Sequence, residues 1–227
     1  MKPAAERIED ITSPAQRPAK ASRKPKLSRA EKAEKIRQDL FRAAASVVGE
    51  HGYLNAMILM ITSKANVANG TFYNYFESQQ DLFDQLLPGL GREMLDFIAE
   101  RSRSGETELE RERQRFEAFF EFLRERPEFY RILYEAEVFA QDAHDAHMRQ
   151  VMKGYSGVLR KALNSGEITG YTSRELDVVA LILMGARHYI AMRYLRQEEG
   201  DGTLPDWAAR TYNKFIAGGL KAIAADD

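Results

Sequence analysis

Apolar residues return every three or four positions through most of this chain, and no stretch sustains the alternation of a half-buried strand. An all-α architecture follows. The first stripe is Ile36, Leu40, Phe41, Ala44, Val47 and Val48. Ser28 followed by Glu31 forms a capping box that starts this helix, and His51-Gly52 ends it. A second, short helix is predicted over 56–65, with Asn55 as its N-cap. Residues 66–69 make a turn, and a third short helix runs from about 69 to 75. Ser78 with Asp81 starts a fourth, reaching about residue 102, in which Pro88 and Gly89 predict a kink or a break. Five amphipathic segments follow, over 107–125, 127–140, 143–164, 173–196 and 205–223. Pro127 and Pro205 suit first-turn positions, and loops fall at Gly166, at Gly170 and at Gly200-Asp201-Gly202.

Residues 1–28 lack this periodicity. They hold Pro3, Pro14, Pro18 and Pro25 among alanine, serine and basic residues, the composition of a disordered basic arm. The organisation expected is therefore an arm over 1–28, a helix-turn-helix region over 29–77 and a helical bundle over 78–227.

The 227 residues carry a formal net charge of −1, which by itself points to no partner. Its distribution matters more. Arg17, Lys20, Arg23, Lys24, Lys26, Arg29, Lys32, Lys35 and Arg37 crowd the start, and local charge governs attraction to nucleic acid. The absence of cysteine excludes disulfides, zinc fingers and thiol nucleophiles. There is no apolar leader at the start, and the longest apolar run, 178–186, is short for a bilayer, which needs about 20 residues. A cytoplasmic protein with no membrane partner is expected. Asp142, His144, Asp145 and His147 crowd one run, but they also read as the acidic first turn of a helix, so no metal site is assigned. No phosphate loop, hydrolytic triad or cofactor motif is present, and neither an enzyme nor a cofactor is expected.

The third short helix carries the most chemistry. Phe72 and Phe76 are four apart and share one face as anchors, which leaves Thr71, Asn74 and the hydroxyls of Tyr73 and Tyr75 for phosphates or base edges. Asn69, Thr71 and Asn74 are the candidates for base edges, because asparagine pairs bidentately with adenine.

Phe41, Ala44, Gly52-Tyr53, Ile61, Ala65, Val67, Gly70-Thr71, Tyr73, Tyr75-Phe76, Ser78 and Leu82 together resemble the tetracycline-repressor (TetR) family of bacterial transcriptional regulators. The likeness covers about residues 36–82. It implies a DNA-contacting set of Asn55, Thr62, Ala68, Asn69, Gly70, Thr71, Tyr73, Asn74, Tyr75 and Gln79. It also implies a homodimer on a double-stranded, near-palindromic operator, with reading helices about 34–36 Å apart. Three departures bear on these contacts. Ala56-Met57-Ile58 stands where the family places Thr-Thr-Val, Ala65-Asn66-Val67-Ala68 replaces Ala-Gly-Val-Ser, and Gln79 replaces a lysine. The basic arm is a possible replacement through a neighbouring minor groove.

Regulators of this family hold a small-molecule effector within the later bundle. Phe116, Phe120, Tyr130, Tyr134, Met152, Tyr155, Met184 and His188 are the candidates for its walls, although each also reads as ordinary core. The segment 176–195, with the last segment and its Trp207, Tyr212, Phe215 and Ile216, is the expected dimer face. The resulting expectation is a ligand-responsive repressor. The alternative is a helical small-molecule-binding protein or enzyme that keeps the fold without reading DNA.

Overall fold

The computed structural model describes residues 28–195 and 203–220; the arm, the loop at 200–202 and the ends of the last two predicted segments lie outside the described residues. The described chain forms eight α-helices and no strand: α1 Arg29–His51, α2 Ile58–Lys64, α3 Gln79–Arg101, α4 Glu108–Glu125, α5 Glu128–Phe139, α6 Gln141–Asn164, α7 Glu175–Leu195 and α8 Asp206–Gly219. The predicted all-α class holds.

Local chemistry sets the helix ends. Ser28 and Glu31 exchange both capping-box bonds, at 3.2 and 2.7 Å. At the other end of α1, Gly52 takes φ +77° and donates its N–H to the Val48 carbonyl. A 3₁₀ turn over Tyr53–Asn55 follows, and α2 begins only at Ile58. Asn55 does not cap it. Its side-chain amide donates instead to the His51 carbonyl at 3.1 Å, closing the end of α1, and α2 starts from Met57 with no side-chain cap.

α3 runs unbroken through Pro88, so of the predicted kink or break the break does not occur. Proline inside a helix costs about 3 kcal/mol, but Leu82, Phe83, Leu86, Leu87, Leu90 and Met94 are all buried along this helix. α3 is the axis of the bundle, packing on α4 and α6 and touching α1 and α5. Two glycines let it do so. A Cβ at Gly89 would fall 2.5 Å from the Phe41 ring of α1, and one at Gly91 would fall 2.1 Å from Nδ1 of His147 on α6. Behind this axis α5 packs on α1, α7 on α6 and α8 on α4.

His147 is 2% exposed, its ring lies 6.0 Å from that of Phe129, and its Nδ1 has no hydrogen-bond partner. Burial, with the nearby charge of His144, pushes its pKa down to about 4 from an ordinary 6.5. Between these values the unfolded chain binds the extra proton, so this stability is complete above pH 6.5 and is lost as pH falls toward 4. Denaturant unfolding over that window should show a loss of order 3 kcal/mol from this group. His147→Gln should flatten the slope, and an unchanged slope would assign the loss elsewhere.

Candidate functional site

The short segment singled out in the sequence is a 3₁₀ helix, Asn69–Asn74, rather than an α-helix. Ala68 precedes it with no side-chain oxygen to accept its free N–H groups. Phe72 and Phe76 are buried with ring centroids 5.5 Å apart, and they fix the segment to the core of the N-terminal helices. Arg37 of α1 reinforces the anchor, lying 5.7 Å over the Phe76 ring and donating to Gln85 of α3. Ala68, Asn69, Gly70, Tyr73 and Asn74 are exposed around this anchor, with Thr71 and Tyr75 half-buried at its edge. Asn66 takes φ +55° in the preceding turn, a conformation asparagine tolerates better than other side chains with a Cβ.

Three predicted contact residues are committed elsewhere. Thr62 is 1% exposed, with its hydroxyl donating to the Ile58 carbonyl at 3.0 Å and lying 3.4 Å from Oδ1 of Asn69, so it holds the turn from behind. Gln79 is half-buried and donates to the Ala56 carbonyl at 2.6 Å, tying the start of α3 to the approach to α2. Asn55 caps α1, as described above.

A clamp joins these N-terminal helices to the bundle. Arg131 of α5 donates to the Gly49 and Glu50 carbonyls, at 3.2 and 3.0 Å, at the C-terminal end of α1. Glu135, one turn on, accepts the Tyr53 N–H at 2.9 Å and pairs with Arg131 at 2.7 Å. Gly49 of α1 and Gly52 just after it are both needed here: a Cβ at Gly49 would strike Glu128, and one at Gly52 would strike Arg131 and Glu135.

The opposite side of α5 faces a cavity of about 910 Å³, open on one side and lined by α3, α4, α5, α6 and α7. Of the eight residues predicted for such a site, Tyr130, Tyr134, Tyr155, Met184 and His188 stand in its wall. Phe116, Phe120 and Met152 do not. Phe116 is fully buried, stacks on Tyr212 of α8 at 3.8 Å and meets Phe120 in a tilted pair at 4.8 Å, and Met152 packs against the core. α4 carries two adjacent stripes at a spacing of four. Arg111, Arg115 and Phe119 face the cavity, while Glu108, Glu112 and Phe116 lie behind them.

None of these arginines was named as a wall residue from the sequence. Glu112, 1% exposed, accepts from Arg115 Nε at 3.1 Å, from Arg187 Nη2 at 2.6 Å and from the Tyr212 hydroxyl at 2.6 Å. Glu108 accepts from Arg115 and Arg111, and Glu167 from Arg111 at 2.8 Å. This network joins α4, α7 and α8. α7 has 21 residues and, among the described residues, is long and apolar enough to cross a membrane by length and composition alone. Here Arg187 binds it into the bundle, where it packs on α6. The Asp142–His147 run does not converge: His144 pairs with Asp145, His147 turns to Gly91, and no group able to hold a metal ion is found among the described residues.

Residues 40–86 match the family described as bacterial regulatory proteins, tetR family. An HTH-type transcriptional repressor, KstR2 of Mycobacterium tuberculosis, is 28% identical over 191 residues, spanning 81% of this chain and 92% of that protein. An uncharacterised HTH-type transcriptional regulator of Bacillus subtilis, YdgC, is 26% identical over 165 residues, 70% of this chain and 80% of its own. Among solved structures, the transcriptional regulator FadR of Bacillus subtilis in complex with stearoyl-CoA superimposes with a TM-score of 0.69 at 18% identity, covering 81% of this chain and 98% of that one, which establishes likeness of fold. With the anchored 3₁₀ segment, the turn before it and the helical bundle behind, these findings make residues 40–86 a tetR-family regulatory domain and the whole chain similar in sequence and fold to transcriptional regulators of the tetracycline-repressor (TetR) family.

Proposed function

We propose that this regulator is a repressor that binds a near-palindromic operator as a homodimer and is released when a small apolar or amphipathic effector fills the cavity. The observation that carries the reading is the position of α5. One side of this helix lines the cavity through Tyr130, Leu133 and Tyr134. The other side holds the end of α1 through Arg131 and Glu135. An effector that shifts α5 therefore shifts the helices carrying Asn69, Thr71, Tyr73 and Asn74. That KstR2 is a repressor and that FadR was solved with stearoyl-CoA supports both halves of the reading.

The dimer rests on α7 and α8. Val178, Leu181, Ile182 and Tyr189 are more than half exposed along one side of α7, and Trp207 and Phe215 are equally exposed on α8. Exposed apolar surface of this extent on two long helices is a protein-contact face. Gly185 lies on the same stripe and also borders the cavity, so the apolar side of α7 and the cavity wall adjoin.

Two outcomes are expected. Selection from a randomised duplex pool should enrich a near-palindrome. Asn69→Ala and Asn74→Ala should each weaken binding to it by about 1–3 kcal/mol while relaxing preference at one position of each half-site. No enrichment would favour a ligand-binding protein that does not read DNA. In sedimentation, the native chain should run as a dimer at micromolar concentration and Ile182→Arg as a folded monomer; a dimer that survives this change would move the interface off α7.

A further inference from the structure

The charged network at the α4 end of the cavity is polarised. Arg111, Arg115 and Arg187 stand in the cavity wall, whereas their carboxylate partners Glu108, Glu112 and Glu167 do not. Each arginine thus contributes to the wall while pairing with a carboxylate that does not. Three carboxylates match three guanidiniums, and every one of those carboxylates is behind the wall. The carboxylates that do line the cavity, Asp96 and Glu137, are solvent-exposed and belong to its open side.

A second observation points to a missing partner at the same place. Arg187 is 5% exposed, yet its Nε has no hydrogen-bond partner. Its guanidinium lies 5.0 Å over the ring of Tyr155, which is also buried in the cavity wall and whose hydroxyl is unpartnered too. A buried N–H left unpaired is costly even where the rest of the guanidinium is paired, and the planar fork of arginine matches a carboxylate in geometry as well as charge. The remaining wall is mainly apolar, with Met94, Ile98, Phe119 and Val151 among its residues.

We infer that the cavity takes an acidic amphiphile head first, with its carboxylate on Arg187, Arg115 and Arg111 beside the Tyr155 hydroxyl and its apolar body along α3 and α6. This rests on reading the cavity as the effector site, and it narrows the effector from a small apolar or amphipathic molecule to a monocarboxylic acid. A neutral alcohol of the same shape brings one hydroxyl and no charge, and so lacks the charge-assisted, two-oxygen match to the guanidiniums.

Calorimetry on the full chain tests it with two matched pairs, dodecanoic acid against dodecanol and pyrenebutyric acid against pyrenebutanol, and with lauroyl-CoA. In at least one pair the acid should bind about tenfold or more tighter than its alcohol. Arg187→Gln and Tyr155→Phe should each shrink that preference with little change for the alcohol. Arg187→Gln disturbs the partners of buried Glu112, so Arg111→Gln, at the less buried end of the network, serves as a second charge variant. Equal binding of acid and alcohol in both pairs, an acid preference that survives all three changes, or no binding of either acid would overturn the inference. Lauroyl-CoA binding as tightly as the acid, with the same sensitivity to Arg187, would also overturn it, by placing a phosphate-bearing head or a thioester on the wall. An enriched operator without acid preference would sink this inference and leave DNA reading intact; acid preference without an operator would do the reverse.

Discussion

The contact between α5 and the end of α1 is the constraint on which the rest of the structure depends. A helix C-terminus leaves carbonyl groups with no partner inside the helix. In this chain two of them, on Gly49 and Glu50, are met by the Arg131 guanidinium, whose orientation is fixed by Glu135, which in turn accepts the Tyr53 N–H. The N-terminal helices are therefore held by hydrogen bonds of defined direction and not by apolar contact alone. A change in the angle of α5 cannot be absorbed at this joint without breaking them.

The cavity has a similarly built wall. Burying Glu108, Glu112, Arg115 and Arg187 is expensive, and such a network is rarely a gain in stability over a well-packed apolar core. Its value lies in geometry. It ties α4, α7 and α8 together behind the cavity while presenting three arginines to it. α7 is both a wall of the cavity and the bearer of the exposed apolar stripe, so dimer and effector share one helix in this account.

Much of the fold was legible because it rests on local rules. The capping box at Ser28 and Glu31, the stop at Gly52 and the buried pair Phe72 and Phe76 follow from spacing alone. What was not legible depends on contacts distant in sequence. Arg187 meets Glu112 across 75 positions, and a buried charge looks like a solvated one until its partner is known. The continuity of α3 through Pro88 depends on leucines packed against α4 and α6, and the close approach at Gly91 on a histidine of another helix. For the cavity, spacing found aromatic residues on the right helices. It chose Phe116 and Phe120 over Phe119 because only the position of α8 tells which stripe of α4 faces inward. Thr62 and Gln79 were placed among the DNA contacts by resemblance, whereas their side chains donate to the backbone carbonyls of Ile58 and Ala56.

The most direct test of the central claim, that α5 carries the state of the cavity to the N-terminal helices, is the operator affinity of an Arg131→Ala, Glu135→Ala double variant with and without saturating dodecanoic acid. In the native chain the acid should weaken operator binding by a factor of about 5–150, the usual range of coupling between sites. The account predicts that the double variant still binds acid and operator separately but loses most of that factor. A factor unchanged in the double variant would contradict it, and would assign transmission to α3 alone.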